Sequence, residues 1–180
     1  MDYKMLEDNL ADVILEAQLK LGYEGRSMSM NYPLQSLNRL LGTSEDGEGM
    51  KRLLDGFADF AQERLGRVEY SRHDGDIFRL CVPEKGVEYI HGLSGSASSG
   101  FLAELIAQVK QPGTTMEQVL EIFRRHSDRV HVEDSDSGEF DKLVYFEDGI
   151  PDDHLYCLTD EGICVTYHRF TREDYTDLGF

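Results

Sequence analysis

The clearest indication of fold lies in residues 129–170, RVHVEDSDSGEFDKLVYFEDGIPDDHLYCLTDEGICVTYHRF. Runs rich in β-branched and aromatic residues alternate there with turns containing glycine or proline, which is typical of antiparallel strands. We predict strands over 129–133, 142–146, 154–158 and 163–168. The segment also holds three of the six histidines and two of the three cysteines, so candidate chemistry gathers in the same place.

The turn between the last two predicted strands decides which of their side chains are neighbours. Residues 159–162, TDEG, suit a type I turn followed by a glycine bulge, which would place His154 opposite His168. A two-residue turn would instead place Cys157 opposite Cys164. Because side chains alternate between the two faces of a sheet, the choice brings together either two imidazoles or two thiols. We favour the glycine bulge.

The first 82 residues have the element order helix, strand, helix, helix, hairpin. This order resembles the winged-helix fold, whose third helix usually enters the DNA major groove with positive charge. The predicted exposed face of that helix here combines two basic with three acidic side chains: Lys51, Arg52, Asp55, Asp59 and Glu63. The resemblance therefore implies a protein-docking module rather than a DNA reader.

Helical spacing in residues 2–21 predicts which face of the first helix is buried. The apolar residues at that spacing are Leu6, Leu10, Val13, Ala17 and Leu21. The other face is acidic, so we expect an amphipathic surface helix.

A Gly/Ser-rich stretch, 92–100 (GLSGSASSG), is predicted to be a flexible joint. It lacks the Gly-Lys-Ser/Thr ending of a phosphate-binding loop. We therefore predict a winged-helix-like lobe over 1–91 and a second lobe over 101–180, in which two helices pack on the antiparallel sheet. The fold class is α+β.

The charge balance bears on partners and location. The 18 basic and 35 acidic side chains give a formal net charge of −17, which repels nucleic-acid backbones and anionic lipid headgroups. Three cysteines in apolar strand patterns do not form the disulfide framework of a small secreted domain. We expect a cytoplasmic protein whose partner is another protein, with no nucleic acid and no membrane involved.

Three strings carry a resemblance to a known family: 32–42 (YPLQSLNRLLG), 145–149 (YFEDG) and 167–170 (YHRF). They resemble a family of uncharacterised bacterial proteins of about this length, a domain of unknown function. The resemblance would cover the whole chain. It implies no assigned activity, ligand or catalytic residue, so no role is carried onto positions here.

The sharpest chemical hypothesis is a divalent metal bound by His154 and His168, with His131 or a nearby carboxylate completing the set. Imidazole ligands suit zinc, nickel or iron. However, no His-x-x-x-His or Cys-x-x-Cys pair fixes ligand geometry, and hairpin histidines are often half-exposed surface residues. A structural role for the three histidines is the simpler interpretation.

Two weaker hypotheses concern carboxylates and thiols. Residues 133–141, EDSDSGEFD, resemble a calcium-binding loop, but the glycine comes one step early and a solvated acidic loop explains the run as well. Cys157 or Cys164 near a histidine would resemble a Cys-His pair, although cysteines in apolar strands are usually inert core residues.

These observations favour a non-catalytic regulatory or protein-interaction module, because no catalytic or cofactor-binding constellation is complete. The rival hypothesis is a metal-dependent hydrolase that uses His131, His154 and His168 with neighbouring acids. A third is a winged-helix DNA-binding regulator, which the net charge disfavours. Oligomeric state and hairpin register are left open by the sequence.

Overall fold

The structure is a computed structural model that describes residues 2–73, 76–93 and 97–177. The chain divides into two compact units, residues 1–94 and 95–180. Helices and antiparallel sheets are mixed in both units, which confirms the α+β class. Of the predicted joint, residues 94–96 lie outside the described residues, while residues 97–100 are helical. The predicted lobe boundaries at 91 and 101 stay predictions.

The N-terminal unit has the predicted order of helices and strands. Its strands form one antiparallel sheet with the order β1-β3-β2. The likeness to a winged helix stays a resemblance, and positions 74 and 75, between the two strands of the predicted hairpin, lie outside the described residues. The elements are α1 (Tyr3–Leu21), β1 (Met28–Pro33), α2 (Leu34–Leu41), α3 (Gly47–Ala61), β2 (Glu69–His73), β3 (Ile77–Val82) and α4 (Glu84–Gly92).

The buried face of α1 differs from the predicted one. Asp2 caps the helix by accepting a hydrogen bond from the Met5 backbone N–H at 3.1 Å. Leu6, Leu10, Ile14 and Gln18 then face the core in steps of four residues. This stripe drifts around the helix relative to the predicted one and leaves the predicted core residues Val13 and Leu21 exposed, at 38% and 83%. The prediction was right for Leu6 and Leu10 and wrong for Val13 and Leu21, because it took a three-residue step to Val13 where the buried stripe continues through Ile14 and Gln18.

The C-terminal unit contains the predicted antiparallel sheet. The sheet has four strands in the order β4-β5-β6-β7. A capping box between Thr115 and Gln118 starts its second helix. The elements are α5 (Ala97–Val109), α6 (Met116–His126), β4 (Val130–Asp134), β5 (Lys142–Phe146), β6 (Leu155–Asp160), β7 (Val165–Phe170) and α7 (Arg172–Asp177).

The two faces of this sheet are covered differently. On one face Phe101 of α5 meets Phe146 edge-on, with 4.9 Å between ring centroids, and Phe123 of α6 meets Tyr156 at 5.2 Å. On the other face Tyr175 of α7 packs against a smaller cluster, whose buried members are Leu143, Leu155 and Cys157. The aromatic face is therefore the main core of the unit.

The register of the β6–β7 hairpin matches neither predicted alternative. Leu155 pairs with Phe170 and Cys157 pairs with His168, so the partner of Cys157 lies three residues further along than the favoured turn would place it. The reason is a longer turn, because the Asp160 carboxylate accepts the Gly162 N–H at 2.8 Å and holds a four-residue connection, 161–164. His154 precedes β6 and is not the cross-strand partner of His168.

Two glycines of α4 test how closely this helix packs against Leu65, which follows α3. A Cβ added at Gly86 would lie 2.3 Å from the Leu65 carbonyl oxygen, whereas at Gly92 it would meet nothing within 4 Å. We expect Gly86→Ala to destabilise the fold by about 1–3 kcal/mol. Gly92→Ala should leave stability unchanged or raise it by up to about 1 kcal/mol. Urea unfolding of both variants measures this, and equal stabilities would contradict the tight contact at Gly86.

Candidate functional site

The structure separates two of the three predicted metal ligands. His131 lies on β4, where it stacks on Tyr145 at 4.7 Å. His168 lies on β7, where it packs near Phe140 at 5.5 Å. These strands are the opposite edges of the sheet, three strand spacings or roughly 14 Å apart. One ion bonded at about 2 Å to each imidazole cannot span that distance.

Two carboxylates of the acidic run 133–141 are bonded within the unit. Asp134 forms an ion pair with Lys142, and the Asp141 carboxylate accepts the Asp160 backbone N–H at 2.7 Å. Within residues 2–73, 76–93 and 97–177, no group of three or more His, Cys, Asp or Glu side chains is arranged to hold a metal ion. The metal and calcium hypotheses therefore stay predictions, without support from side-chain geometry in this part of the chain.

The third histidine, His154, belongs to a buried charged cluster that we did not predict. Asp152 precedes β6, and 1% of its side chain is exposed. One carboxylate oxygen accepts Nη2 of Arg169 at 2.6 Å, and the other accepts both the backbone N–H and Nδ1 of His154, at 3.1 and 2.7 Å. Arg169 also donates from Nε to the Tyr156 hydroxyl at 3.0 Å.

The charges in this cluster stabilise one another. Burial alone would raise the pKa of Asp152, but the hydrogen bond from His154 and the charge of Arg169 outweigh it and hold that pKa at about 2. The ionised carboxylate only accepts hydrogen bonds, so Nδ1 of His154 carries a proton. Burial raises the pKa of the Tyr156 hydroxyl well above its ordinary value, which keeps the phenol neutral. The arrangement is that of a structural ion pair.

Cys157 comes closest to the predicted Cys-His pair, but burial makes its thiol unreactive. Cys157 is the cross-strand partner of His168, but only 1% of the residue is exposed. Burial raises the pKa of its thiol to about 11. Since the thiolate is the nucleophile, Cys157 is not activated at neutral pH. Cys164 lies in the 161–164 connection rather than opposite a histidine.

A cleft in the N-terminal unit is the other feature with chemical potential. It has a volume of about 230 Å³ and lies where α1 ends, walled by the connection to β1 and by α4. Its apolar lining residues are Ala17, Leu21, Met28 and Val87. Gly22 ends α1 with its N–H bonded to the Gln18 carbonyl oxygen at 2.8 Å, and its φ of 93° turns the chain around the cleft.

Gln18 combines burial with an incomplete set of hydrogen bonds. It lines the cleft and is 7% exposed. Its Nε2 donates to the Val87 carbonyl oxygen at 3.0 Å, which fixes the orientation of the amide. The other amide atom, Oε1, is enclosed and has no hydrogen-bond partner among the described residues. A buried acceptor of this kind costs about 1–3 kcal/mol when it is unsatisfied.

Exposed side chains surround the opening of the cleft. Leu21 lines it and is 83% exposed, which is unusual for a leucine that follows a buried helical stripe. Beside it Tyr23, 41% exposed, stacks flat on His91 with 4.0 Å between ring centroids. His91 lies one helical turn after Val87 in α4, so this aromatic pair belongs to the same end of the unit.

Sequence reasoning missed Gln18, Asp152 and Arg169. A polar residue that continues the four-residue steps of Leu6, Leu10 and Ile14 was the available indication for Gln18. For Arg169, the indication is visible only in the correct register, which places it beside Tyr156 on the aromatic face. Asp152 lies in the acidic run 147–153, whose sequence does not show which carboxylate is buried.

The ion pair gives a test in which neighbouring residues serve as variant and control. Asp152→Asn leaves the buried Arg169 without its counter-charge, and we expect a loss of about 3 kcal/mol or more in the free energy of unfolding. Asp153→Asn removes an exposed carboxylate that pairs with Arg172 at 3.0 Å, and should cost about 0.5 kcal/mol or less. Urea unfolding at neutral pH compares them, and similar losses would refute the buried pair.

The same carboxylate predicts a pH dependence. Its folded-state pKa of about 2 lies below the ordinary 3.8, so ionised Asp152 stabilises the fold above about pH 4. This contribution is lost as the pH falls from about 4 through 2. Over that interval we expect the free energy of unfolding of the wild type to fall by about 2 kcal/mol more than that of Asp152→Asn. Parallel losses in the two proteins would contradict the low pKa.

Comparison with known proteins places the chain in a family without giving it an activity. None of the described helices is both long enough and apolar enough to cross a membrane. No curated protein and no solved structure matches the chain. A family model described as "Domain of unknown function, E. rectale Gene description (DUF3877)" matches residues 3–179. Because that match spans nearly all of the 180 residues, the chain belongs to the DUF3877 family.

Proposed function

We propose that this protein is a non-catalytic cytoplasmic interaction module that binds a protein partner at the cleft of its N-terminal unit. The observation that carries the proposal is the exposure of Leu21, 83%, on the rim of a concave site. Exposed apolar side chains that border a cleft and sit beside aromatic residues are typical of interaction surfaces.

The rim combines the exposed Leu21 with an ion pair between Glu24 and Arg26 at 3.8 Å. Leu21 offers apolar area that a partner would bury, worth about 1.5–3 kcal/mol for a complete side chain. Tyr23 is held flat against His91, so it loses little side-chain freedom when a partner covers it. An exposed leucine at the cleft and an ordered tyrosine two residues further along the chain offer a partner apolar and aromatic surface.

The C-terminal unit supports a non-catalytic role. Its buried carboxylate, Asp152, is tied to Arg169 and His154, and its most buried thiol, Cys157, has a raised pKa. Groups that act as acids, bases or nucleophiles have pKa values shifted toward neutrality, whereas the pKa values of Asp152 and Cys157 are shifted away from it. Among the described residues of this unit, no observation specifically supports the hypothesis of a metal-dependent hydrolase.

The winged-helix resemblance does not favour DNA binding either. Lys51, on the exposed side of α3, lies 2.7 Å from the Glu48 carboxylate. Arg72 of β2 forms ion pairs with Glu48 and Asp76. Both cations therefore have acidic neighbours that compete with phosphates and weaken the attraction to a duplex.

A charge placed on the rim tests the proposal. Leu21→Asp puts a carboxylate on the rim of the cleft, and we expect it to weaken partner binding about tenfold or more. Wild-type and variant proteins are used to capture the partner from lysate of the source bacterium. The captured protein is identified by mass spectrometry, and its Kd for each purified variant is measured by calorimetry.

Ile163→Asp is the matched control, because Ile163 is 78% exposed and lies in the C-terminal unit. Both substitutions replace an exposed side chain, so stability should change by about 0.5 kcal/mol or less in each. Binding should survive in the control. A partner lost equally from both variants, or retained by Leu21→Asp, would refute a binding surface at the cleft, and a wild-type protein that captures no partner would refute the module itself.

A further inference from the structure

We infer that β4, an edge strand of the sheet in the C-terminal unit, binds an extended basic segment of a partner protein, which adds a fifth strand to that sheet. This mode of recognition combines main-chain hydrogen bonds with contacts from alternate side chains. The surface lies in the other unit from the cleft beside Leu21, so the inference goes beyond the proposed function and does not depend on it.

Backbone hydrogen bonds show which amides of β4 face another strand. The Arg129 carbonyl oxygen accepts the Glu147 N–H at 2.9 Å, and the Ser135 N–H donates to the Asp141 carbonyl oxygen at 3.1 Å. Both bonds are directed toward the side of β5. Because this direction alternates along an antiparallel strand, the even-numbered residues of β4 direct their N–H and C=O groups away from β5, where no described strand pairs with them. These residues are Val130, Val132 and Asp134.

The other edge strands are less suited to receive a new strand. β1 ends at Pro33, which has no N–H to donate. β2, with the sequence EYSRH, offers no β-branched side chain on which a neighbouring strand could pack. The start of the β7 edge is occupied, because the Ile163 carbonyl oxygen accepts the Gly113 N–H at 3.0 Å. β4 is therefore the edge that best fits an added strand.

The side chains of β4 can pack against those of a new strand. Val130 and Val132 lie opposite Phe146 and Val144 of β5, and both valines are only partly buried. A strand on the open side would cover the apolar surface that β5 leaves exposed. Residues 130–134 contain neither proline nor lysine, with which proteins commonly protect an open edge.

The charge of this edge selects a basic segment. Residues 133–141, which include the end of β4, carry five acidic side chains and no lysine or arginine. On the filled side of β4, Lys142 of β5 lies opposite Asp134 and forms an ion pair with it. A lysine on the open side would lie opposite the same row, and cross-strand pairs of opposite charge stabilise a sheet.

The basic side chains near the edge do not cancel this charge. Nε2 of His131 lies 3.1 Å from the Glu133 carboxylate, and Arg129 forms an ion pair with Asp148 at 3.6 Å. Residues 91–180 as a whole carry 7 basic and 18 acidic side chains. Two copies of this chain would therefore repel each other if their β4 edges met, whereas a basic segment is attracted.

Two synthetic peptides test strand addition and its charge preference. When the acetylated and amidated peptide Lys-Lys-Val-Thr-Val pairs antiparallel with β4, its lysines lie opposite Asp134 and Glu133 and its central valine lies opposite Val132. The peptide Glu-Glu-Val-Thr-Val has the same strand-forming end with the opposite charge. Each is titrated into the ¹⁵N-labelled full chain at low salt and followed by NMR. We expect the lysine peptide to bind about tenfold or more tightly than the glutamate peptide.

Amide hydrogen exchange reports the geometry of binding. In the protein without peptide we expect slow exchange at His131 and Glu133, whose N–H groups face β5, and fast exchange at Val132. The lysine peptide should slow exchange at Val132 about tenfold or more, because the added strand supplies an acceptor for this N–H. Exchange at His131 and Glu133 should change little.

A matched pair of variants assigns binding to the outward amide. Val132→Pro removes this N–H without removing a hydrogen bond to β5, which is the position where an edge strand tolerates proline. It should weaken binding of the lysine peptide about tenfold or more. Val132→Thr is the control, because it keeps both the N–H and the β-branched shape, and it should bind within about threefold of the wild type. Thermal melts check that both variants fold.

Slower exchange at Val132 with the lysine peptide, lost in Val132→Pro and kept in Val132→Thr, supports the inference. Slow exchange at Val132 without peptide overturns it, and so does unchanged exchange at about 5 mM lysine peptide. These wild-type measurements decide the matter even if Val132→Pro does not fold. Equal binding of both peptides removes the basic preference and also overturns it. A wild-type dimer that becomes monomeric in Val132→Thr's partner variant, Val132→Pro, assigns the edge to a second copy and likewise overturns it.

Discussion

The buried ion pair between Asp152 and Arg169 is the constraint on which the C-terminal unit depends. The register of β7 places Arg169 in the same row as Tyr156 and Val144, on the face that packs against aromatic side chains. A guanidinium in that position would cost several kcal/mol without a counter-charge. Asp152 supplies it from the segment just before β6, so the pair fixes both the path into β6 and the alignment of β7.

Two buried polar groups, Arg169 in the C-terminal unit and Gln18 in the N-terminal unit, differ in how completely they are hydrogen-bonded. In the C-terminal unit the charge of Arg169 is enclosed. Asp152 and Tyr156 accept hydrogen bonds from Arg169, and Asp152 also accepts one from His154. In the N-terminal unit a neutral amide is enclosed, and one of its atoms has no partner among the described residues. The first arrangement adds rigidity and specificity to a fold. The second carries the cost of one unsatisfied acceptor.

The sequence was sufficient for the fold class and for most elements, because β5 is a run of apolar, β-branched and aromatic residues and α1, α3 and α6 begin at capping side chains. It was insufficient for the β6–β7 register, which depends on the Asp160 carboxylate bonding Gly162, a local choice that competes closely with a shorter turn. The same limit explains the candidate sites. His154 and His168 separate once the register changes, and Gln18 becomes notable only when its surroundings are known to be apolar and its oxygen unpartnered.

The distribution of thiols has a practical consequence for spectroscopy. Cys157 is buried and its raised pKa suppresses the thiolate that maleimides and iodoacetamides modify. Cys81 and Cys164 are both partly exposed, and they lie in the N-terminal and the C-terminal unit respectively. The native chain thus offers one labelling point in each unit, so a donor and acceptor dye pair can report changes in their separation when a ligand binds, without any cysteine being introduced.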